Sequence, residues 1–278
     1  MQSTSNQETT FGNLLKYWRK QRNFSQLDLG LASDVSQRHI SFLESGRANP
    51  SQEMILQLAT VLDIPLREQN IMLTTAGFPP IYSESDLSSP EFEPIRKALD
   101  FIMLSQAQFP VLVMDRYWNL IQTNSASQQL INWLIDSQDL QKFFCIDGKI
   151  NMMRLMLHPQ GLKPFVVNWE EIGGNLIKRA YREALANGNN EQPKKLYQEI
   201  LTYPDVPQLW KLSNSHTWQI PLLTLNLLKD GLNLNFFSAI ATLGTPHDIM
   251  LQELRIETLF AVDEVTQKNL TKLNELFS

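Results

Sequence analysis

Gln37, Arg38 and His39 place amide, guanidinium and imidazole groups on three successive residues, all of which can hydrogen-bond to a polar surface. They follow Ser36, a residue type suited to cap the start of a helix. Phe42 lies one helical turn further along the chain. Side chains of this kind can enter a groove if the surrounding sequence holds their helix in place.

The residues around this run predict two short helices joined by a tight turn. Ser25 fits the N-cap of the first helix, as Ser36 fits that of the second. Gly30 and Ala32 supply small side chains where the helices touch, and Asp34 tolerates the left-handed conformation that the turn requires. The stripe expected to hold the second helix against its domain is formed by Leu29, Val35, Ile40 and Leu43.

Charge divides unevenly along the chain. The net charge is −5, but residues 1–50 contain six basic and four acidic side chains, which gives this stretch +2 and the remainder −7. An anionic polymer would therefore contact the N-terminal part and avoid the rest.

The run from Ser25 to Gly46 resembles the lambda-repressor-like helix-turn-helix family, often called the XRE type. The resemblance covers residues 11 to about 75; Gly30 and Asp34 stand where the family usually has Ala and Gly. It implies that Gln26 contacts a phosphate and that Gln37 and Arg38 read base edges of double-stranded DNA. The DNA-contacting residues expected in this way are Gln26, Ser36, Gln37, Arg38, His39, Ser41, Phe42, Arg47 and Asn49. The alternative is that these polar residues form an ordinary solvated helix face.

Residue types that bind metals or act as nucleophiles are not grouped in the sequence. His39, His158, His216 and His247 are scattered, and Cys145, the single cysteine, has no partner motif. No Gly-rich phosphate loop and no Gly-x-Ser-x-Gly elbow occurs. The pattern therefore favours neither a metal site nor a hydrolase, and we expect no metal, no catalytic residue and no enzyme activity.

The chain length predicts two domains. We expect an all-α helix-turn-helix domain in residues 1–80, a polar linker in residues 81–90 and a second domain in residues 91–278. In the second domain, residues 110–114 and 117–123 predict a hairpin, and residues 125–135, 150–157, 169–187 and 193–202 predict helices. Strands over 216–228, 233–243 and 251–262 and a helix over 263–277 complete an α+β domain, an antiparallel sheet with inserted helices.

The hairpin of residues 110–124 resembles the opening of a PAS sensor domain, with an Asp turn, an aromatic residue and a terminal Asn. Together with Asn151, Arg154, the His158-Pro159 pair and Trp169, it resembles the ligand-binding domain of MmyB-like regulators, which couple a PAS-like domain to an XRE helix-turn-helix. The resemblance implies a fatty-acid-like or other small amphiphilic ligand and no further cofactor. The ligand-binding residues expected from it are Trp118, Asn124, Asn151, Arg154, His158, Trp169 and Phe237.

Two interpretations of these residues stay open at the sequence level. Arg154 is suited to hold a ligand carboxylate with a bidentate bond, but it could equally pair with Glu170 or Glu171. The tryptophans and Phe237 could belong to the core, and His158 could end a helix.

The sequence thus predicts a ligand-responsive regulator that binds operator DNA as a homodimer, because one such domain buries little surface. The N-terminus lacks a signal-like apolar run, so we expect a cytoplasmic protein that does not enter a membrane. An enzyme, or a protein-interaction domain, fused to an autoregulatory helix-turn-helix is the alternative.

Overall fold

A computed structural model of the chain describes residues 10–186, 191–206, 208, 223–244 and 246–276. The chain divides into two units, each with its own hydrophobic core. The first unit comprises the chain up to Leu87 together with Leu243–Gln252, and the second comprises Ser88–Thr242 and Glu253–Ser278.

The first unit is helical, as predicted. Residues 10–87 form α1 (Phe11–Gln21), α2 (Gln26–Ala32), α3 (Gln37–Glu44), α4 (Gln52–Val61) and α5 (Leu66–Thr75). The N-cap residue of each of the first four helices has a hydroxyl side chain that accepts a hydrogen bond from the backbone N–H three residues further on. These N-cap residues are Thr10, Ser25, Ser36 and Ser51. Leu29, Ile40 and Leu43 are fully buried in the core of this unit, and Val35 packs against it. The predicted apolar stripe is therefore confirmed.

The turn between α2 and α3 depends on two residues. Asp34 has a φ of 52°, the left-handed conformation predicted for it. A Cβ atom added at Gly30 would lie 2.5 Å from the carbonyl oxygen of Val35, so that no side chain fits there. Ala32 is exposed instead, and the prediction that its small size serves the helix contact is wrong.

The segment after α5 is bound to that helix, although the sequence suggests a linker over residues 81–90. The Asn70 Oδ1 atom accepts hydrogen bonds from the backbone of Ile81 at 3.0 Å and of Tyr82 at 3.1 Å. Arg67 forms an ion pair with Glu84. Composition could not reveal this, because a polar segment that is hydrogen-bonded to a helix has the same residue types as a solvated one.

The second unit contains one sheet surrounded by helices. It begins with a turn of 3-10 helix (Pro90–Phe92), α6 (Glu93–Ser105), β1 (Val111–Met114) and β2 (Leu120–Thr123). There follow α7 (Ser125–Leu134), α8 (Ser137–Phe144), a hairpin of β3 (Cys145–Ile146) and β4 (Lys149–Ile150), α9 (Met152–Leu157), α10 (Trp169–Ala186) and α11 (Glu191–Ile200). The described chain ends with β5 (Thr224–Lys229), β6 (Leu232–Ala241), α12 (Ile249–Glu253), β7 (Arg255–Ala261) and α13 (Glu264–Leu276).

The sheet has the order β2-β1-β7-β6-β5, and every neighbouring pair is antiparallel. The predicted α+β fold with helices inserted between the strands is confirmed. Leu112 is opposite Glu257, and Ser238 is opposite Leu259. Since cross-strand partners share a face of a sheet, polar groups here lie among apolar ones on the face that packs on the inserted helices.

Most differences from the predicted elements are local. Helix α8 and the hairpin β3/β4 were not predicted, and residues 249–253 form α12 where a strand was expected from 251. The first seven residues of the strand predicted over 216–228 lie outside the described residues, as do Asn187 and Phe277. The predicted Asp263 cap is confirmed, since its carboxylate accepts the backbone N–H of Thr266 at 2.7 Å.

Replacing Gly30 by Ala should destabilise the chain by about 1–3 kcal/mol, the usual cost of overpacking, because the added methyl group meets a backbone oxygen. This cost outweighs the gain of about 1 kcal/mol in helix propensity. Urea unfolding of the full chain measures the change. Gly244→Ala is the matched control, because its Cβ would have no atom within 4 Å. Equal stability of the two variants would contradict the close approach.

Candidate functional site

The open side of α3 carries the residues predicted to contact DNA. Gln37 and Arg38 are exposed, and His39 is half-buried. The ring of Phe42 has the Arg38 guanidinium 5.2 Å and the Arg47 guanidinium 4.5 Å from its centroid. Cation-π contact at these distances holds two positive charges beside the start and end of α3. The arrangement can bind an anionic, grooved surface.

A buried ion pair holds α3 against α1. The Arg19 Nε atom donates to Glu44 Oε1 at 2.5 Å, and Arg19 Nη2 donates to Glu44 Oε2 at 2.9 Å. The two side chains are only 10% and 4% exposed. Gln26, at the start of α2, donates from its amide nitrogen to the same carboxylate at 2.9 Å. One carboxylate therefore joins three helices.

The pKa of Glu44 reflects two opposing influences. Burial raises it, but hydrogen bonds from Arg19 and Gln26 lower it further, so that the pKa lies below its ordinary value. Glu44 is therefore ionised near neutral pH and keeps its three hydrogen bonds.

The remaining residues predicted to contact DNA differ in their exposure and in whether their side chains already form hydrogen bonds within the protein. The Ser36 hydroxyl is used as the cap of α3, and the Arg47 Nε atom donates to the Ser45 hydroxyl at 2.9 Å. Ser41 is half-buried and Asn49 is exposed. Ser36 and Ser41 thus belong to the cap and body of α3, and Arg47 contacts Phe42 of the same helix.

The second unit encloses a cavity of about 320 Å³ between the sheet and α7, α9 and α10. Its described lining is mostly aliphatic and consists of Pro110, Leu112, Trp118, Ser127, Leu130, Ile131, Leu134, Met152, Met153, Met156, Leu162, Ile172, Asn175, Leu176, Arg179, Arg182, Leu223, Leu225, Leu227, Ser238, Glu257 and Leu259. A cavity of this size and character suits a small, largely apolar molecule.

The charged groups of this cavity are Arg179, Arg182 and Glu257. Burial raises the pKa of Glu257 despite the opposing effects of Ser238 and Arg179. Burial, reinforced by the neighbouring Arg255, lowers the pKa of Arg179. Arg179 and Glu257 are therefore held in a weakly solvated environment, where a further charge would interact strongly, whereas Arg182 is exposed.

Trp118 separates the cavity from a cluster of charged side chains. Its φ of 68° is unusual for a large residue, and Asp115 stabilises the turn by accepting the backbone N–H groups on either side, at Tyr117 and Asn119. The guanidinium groups of Arg179 and Arg255 lie 4.0 and 4.6 Å from the Trp118 ring centroid.

The indole nitrogen of Trp118 donates to Glu183 Oε2 at 2.7 Å. Arg255 donates to the other oxygen of that carboxylate at 3.0 Å. Trp118 is the one predicted ligand-binding residue that lines the larger cavity.

Arg154 does not occupy the polar end of this cavity, so the prediction that it anchors a ligand carboxylate there is wrong. Its Nε and Nη2 atoms donate to Glu199 on α11, both at 2.7 Å. The alternative of a structural ion pair is correct in kind, but the partner is Glu199 instead of Glu170 or Glu171. The observed partner differs from the predicted ones because an arginine pairs with whichever carboxylate the folded chain brings within hydrogen-bonding distance.

The side chain of Asn151 is also used within the protein. Its Nδ2 donates to the Tyr117 carbonyl at 2.8 Å, and its Oδ1 accepts from the backbone of Arg154. Both Asn151 and Arg154, with Trp118, line a second cavity of about 270 Å³. The remaining described lining of that cavity is Arg116, Tyr117, Asn119, Met153, Ala180, Glu183, Gln192, Pro193, Lys195 and Leu196.

The other four predicted ligand-binding residues are absent from the described lining of both cavities. Asn124 caps α7. His158 ends α9 and packs against Phe144 and Tyr203, with ring centroids 5.5 and 5.0 Å away.

Trp169 begins α10 and packs against the core, with Lys163 over its ring. Phe237 stacks on Phe260 at 5.3 Å. These are structural roles, including the helix end that the sequence left open for His158.

Sequence reasoning missed Arg179, Arg182 and Glu257. A signal was present in α10, where Ile172, Asn175, Leu176, Arg179 and Arg182 recur at helical spacing and line the cavity together. When two arginines continue the apolar face of a helix, their charged groups are expected to lie beside the surface that this face buries.

Two family models match the chain. The model described as MmyB-like transcription regulator ligand binding domain matches residues 95–273, which is more than half of the chain. The model described as Helix-turn-helix matches residues 15–69. No curated protein matches. The helix-turn-helix match lies within the first unit, and the ligand-binding-domain match lies within the second except for Leu243–Gln252.

Two solved structures are similar to the chain, one over a part of it and the other over nearly its whole length. The restriction-modification controller protein C.AhdI from Aeromonas hydrophila is 37% identical, with a TM-score of 0.21, and the match covers 21% of this chain and 89% of that one. An RNA-binding Light-Oxygen-Voltage receptor is 13% identical, with a TM-score of 0.29; the match covers 99% of this chain and 64% of that one.

Two searches of the described residues gave negative results. None of their helices combines the length and the apolar character that crossing a bilayer requires. No group of three or more His, Cys, Asp or Glu side chains in this part of the chain could hold a metal ion.

Replacing Glu44 by Gln should destabilise the chain at pH 7 by about 2 kcal/mol, the scale of lost charge-assisted hydrogen bonds. Because the folded pKa of Glu44 lies below its unfolded value, its contribution is complete above the unfolded pKa. It is lost as the pH falls through the folded pKa. The gap between wild type and variant should therefore narrow on acidification below about pH 4.

Denaturant unfolding of both proteins at pH 7 and in acid measures this gap. Asp63→Asn is the matched control, because its ion pair with Arg22 spans 3.4 Å and the Asp63 side chain is 97% exposed, so little change is expected. A gap that does not depend on pH would contradict the assignment.

Proposed function

This chain belongs to the MmyB-like transcription regulators, and we propose that it binds operator DNA through α3 and responds to a fatty-acid-like ligand held in the 320 Å³ cavity. The observation that carries the ligand class is the aliphatic lining of that cavity, with two arginines on one face of α10. We propose no catalytic role.

The exposed face of α3 supports sequence-specific binding. Gln37 and Arg38 are exposed at the first two positions of the helix, where recognition helices contact base edges. A guanidinium suits guanine and an amide suits adenine. Arg47, Asn49 and Gln26 would contact the phosphate backbone. Binding as a homodimer on a two-fold symmetric operator would double a small contact surface.

Replacing Arg38 by Ala should weaken binding to the operator by about 1–3 kcal/mol and barely change binding to random DNA. The operator is first enriched from random-sequence duplexes with the wild-type chain, and fluorescence anisotropy gives both affinities. Arg47→Ala provides the contrast, since loss of a phosphate contact weakens binding to both DNAs equally. Equal losses for Arg38→Ala would make it a phosphate contact.

The aliphatic lining supports an acyl chain as the buried part of the ligand. Ten buried methylene groups would contribute about 8 kcal/mol, which is of the size needed to offset the cost of association. Chain length should therefore set affinity.

Arg182 is the best candidate to hold the head group. It lines the cavity, is exposed and has no ion pair among the described residues, whereas Arg179 stacks on Trp118 and lies 3.5 Å from Glu183. A carboxylate at Arg182 keeps part of its hydration and gains a charge-assisted bond. The acyl chain would then extend inward from this end.

Fatty acids of increasing chain length should raise the melting temperature of lipid-stripped protein, because each binds the folded state. Arg182→Leu should reduce the rise with acids and leave the rise with the matching alcohols unchanged. Arg154→Leu is the control, since Glu199 already binds that arginine outside this cavity; its acid preference should equal that of wild type.

If no acid or alcohol raises the melting temperature, the acyl ligand is wrong. If wild type binds acids and alcohols equally, the proposal of an apolar ligand pocket still holds, but the proposal that Arg182 binds a ligand carboxylate is wrong.

A further inference from the structure

The segment Leu243–Gln252 is held inside the first unit by a buried carboxylate. Asp248 is only 5% exposed. Its Oδ2 accepts from the Ser83 hydroxyl at 2.8 Å and from the Ser85 backbone at 3.1 Å. Its Oδ1 accepts from the backbone of Met250 at 2.8 Å and of Leu251 at 3.4 Å. Asp248 therefore binds both its own helix α12 and the chain that follows α5.

The same segment caps α5. Pro65 occupies the N-cap of this helix and makes no side-chain cap hydrogen bond. Gln252 Oε1 instead accepts the backbone N–H of Leu66 at 2.7 Å. A side chain 186 residues away in sequence thus satisfies one of the free donors at the start of α5.

Helix α5 shares its core with the recognition helix. Met72 and Leu73 of α5 are fully buried in the same cluster as Ile40 and Leu43 of α3. A well-packed core transmits small displacements because its side chains have few alternative arrangements. The stability of α5 therefore affects how α3 is held.

Both ends of the segment continue directly into strands that line the cavity. Ser238 lies on β6, five residues before Leu243, and Glu257 lies on β7, five residues after Gln252. Glu253, next to Gln252, forms an ion pair with Arg116 at 2.5 Å. On the β7 side, only Glu253 and Leu254 separate Gln252 from the strand, so that a displacement of β7 would act on Gln252 through a short stretch of backbone.

We propose that Leu243–Gln252 is the coupling element of this regulator: through the Asp248 and Gln252 hydrogen bonds, the state of β6 and β7 controls the start of α5 and hence DNA affinity. The inference rests on the proposed function for operator binding through α3 and for the identity of the ligand. Allosteric coupling requires an element whose state both sites affect, and this segment joins a strand of the cavity to hydrogen bonds at the start of α5.

The test uses the full chain with Ser83→Ala and Gln252→Ala combined, and with Gln267→Ala, an exposed glutamine on α13, as the matched control. Amide hydrogen exchange in α5 should become about fivefold faster in the double variant, as for loss of a helix cap, and stay unchanged in the control. Dodecanoate binding, followed by the melting temperature, should stay at its wild-type level.

Operator affinity is then measured with and without dodecanoate. Wild type and control should show the same ligand-dependent ratio of operator Kd values, and in the double variant this ratio should fall towards one. An unchanged ratio, or unchanged α5 exchange, overturns the coupling role.

If dodecanoate does not bind wild type, the ligand assignment of the proposed function fails separately. The coupling element is then judged on α5 exchange and ligand-free operator affinity. Both should change in the double variant, and the absence of either change overturns the proposal.

Discussion

The position of the recognition helix depends on one buried carboxylate. Glu44 lies at the end of α3 and accepts hydrogen bonds from Arg19 on α1 and Gln26 on α2. A charge removed from water is stable only if its partners are placed correctly, so departures from this arrangement leave an unpaired buried ion. The ion pair therefore limits the orientations that α3 can adopt against α1. The direction in which the exposed side of α3 faces is limited in the same way.

Partly buried charged side chains also lie beside the cavity of the second unit, but not all of them are equally well paired. Glu183, Arg255 and the Trp118 indole satisfy one another beside the cavity. Glu257 is in a less favourable environment, where burial raises its pKa. The cavity thus combines an aliphatic lining with two poorly hydrated charged groups, Arg179 and Glu257, so that a further charge placed there would interact strongly with them.

Regular elements with strong local signals were predictable. The caps Ser25, Ser36 and Asp263 follow from side chains that accept a hydrogen bond from the backbone three residues on. The left-handed Asp34 follows from the tolerance of aspartate for that conformation. The antiparallel sheet was predictable in kind from alternating apolar residues. Helices α8 and α12 were not predicted although Asp136 and Asp248 accept backbone N–H groups at their starts, because each helix is too short to show a clear apolar periodicity.

The residues around the cavities show more clearly what could not be predicted from the sequence. Asn151 and Arg154 were both expected to bind a ligand, and they do line one cavity. Which carboxylate Arg154 would bind was not predictable, because Glu199 is 45 residues away and reaches it only through the packing of α11.

The sequence by itself determined that a helix-turn-helix precedes an α+β domain, because caps, turns and helical spacing act between neighbours in the chain. It placed residues 243–252 in the second domain, although the folded chain holds Leu243–Gln252 in the first unit. Only the tertiary structure decided that Arg179 and Arg182, and not Arg154, line the larger cavity, and that Gln252 caps α5. A long polar side chain can satisfy many partners, and the partner it meets is set by the distances that the folded chain imposes.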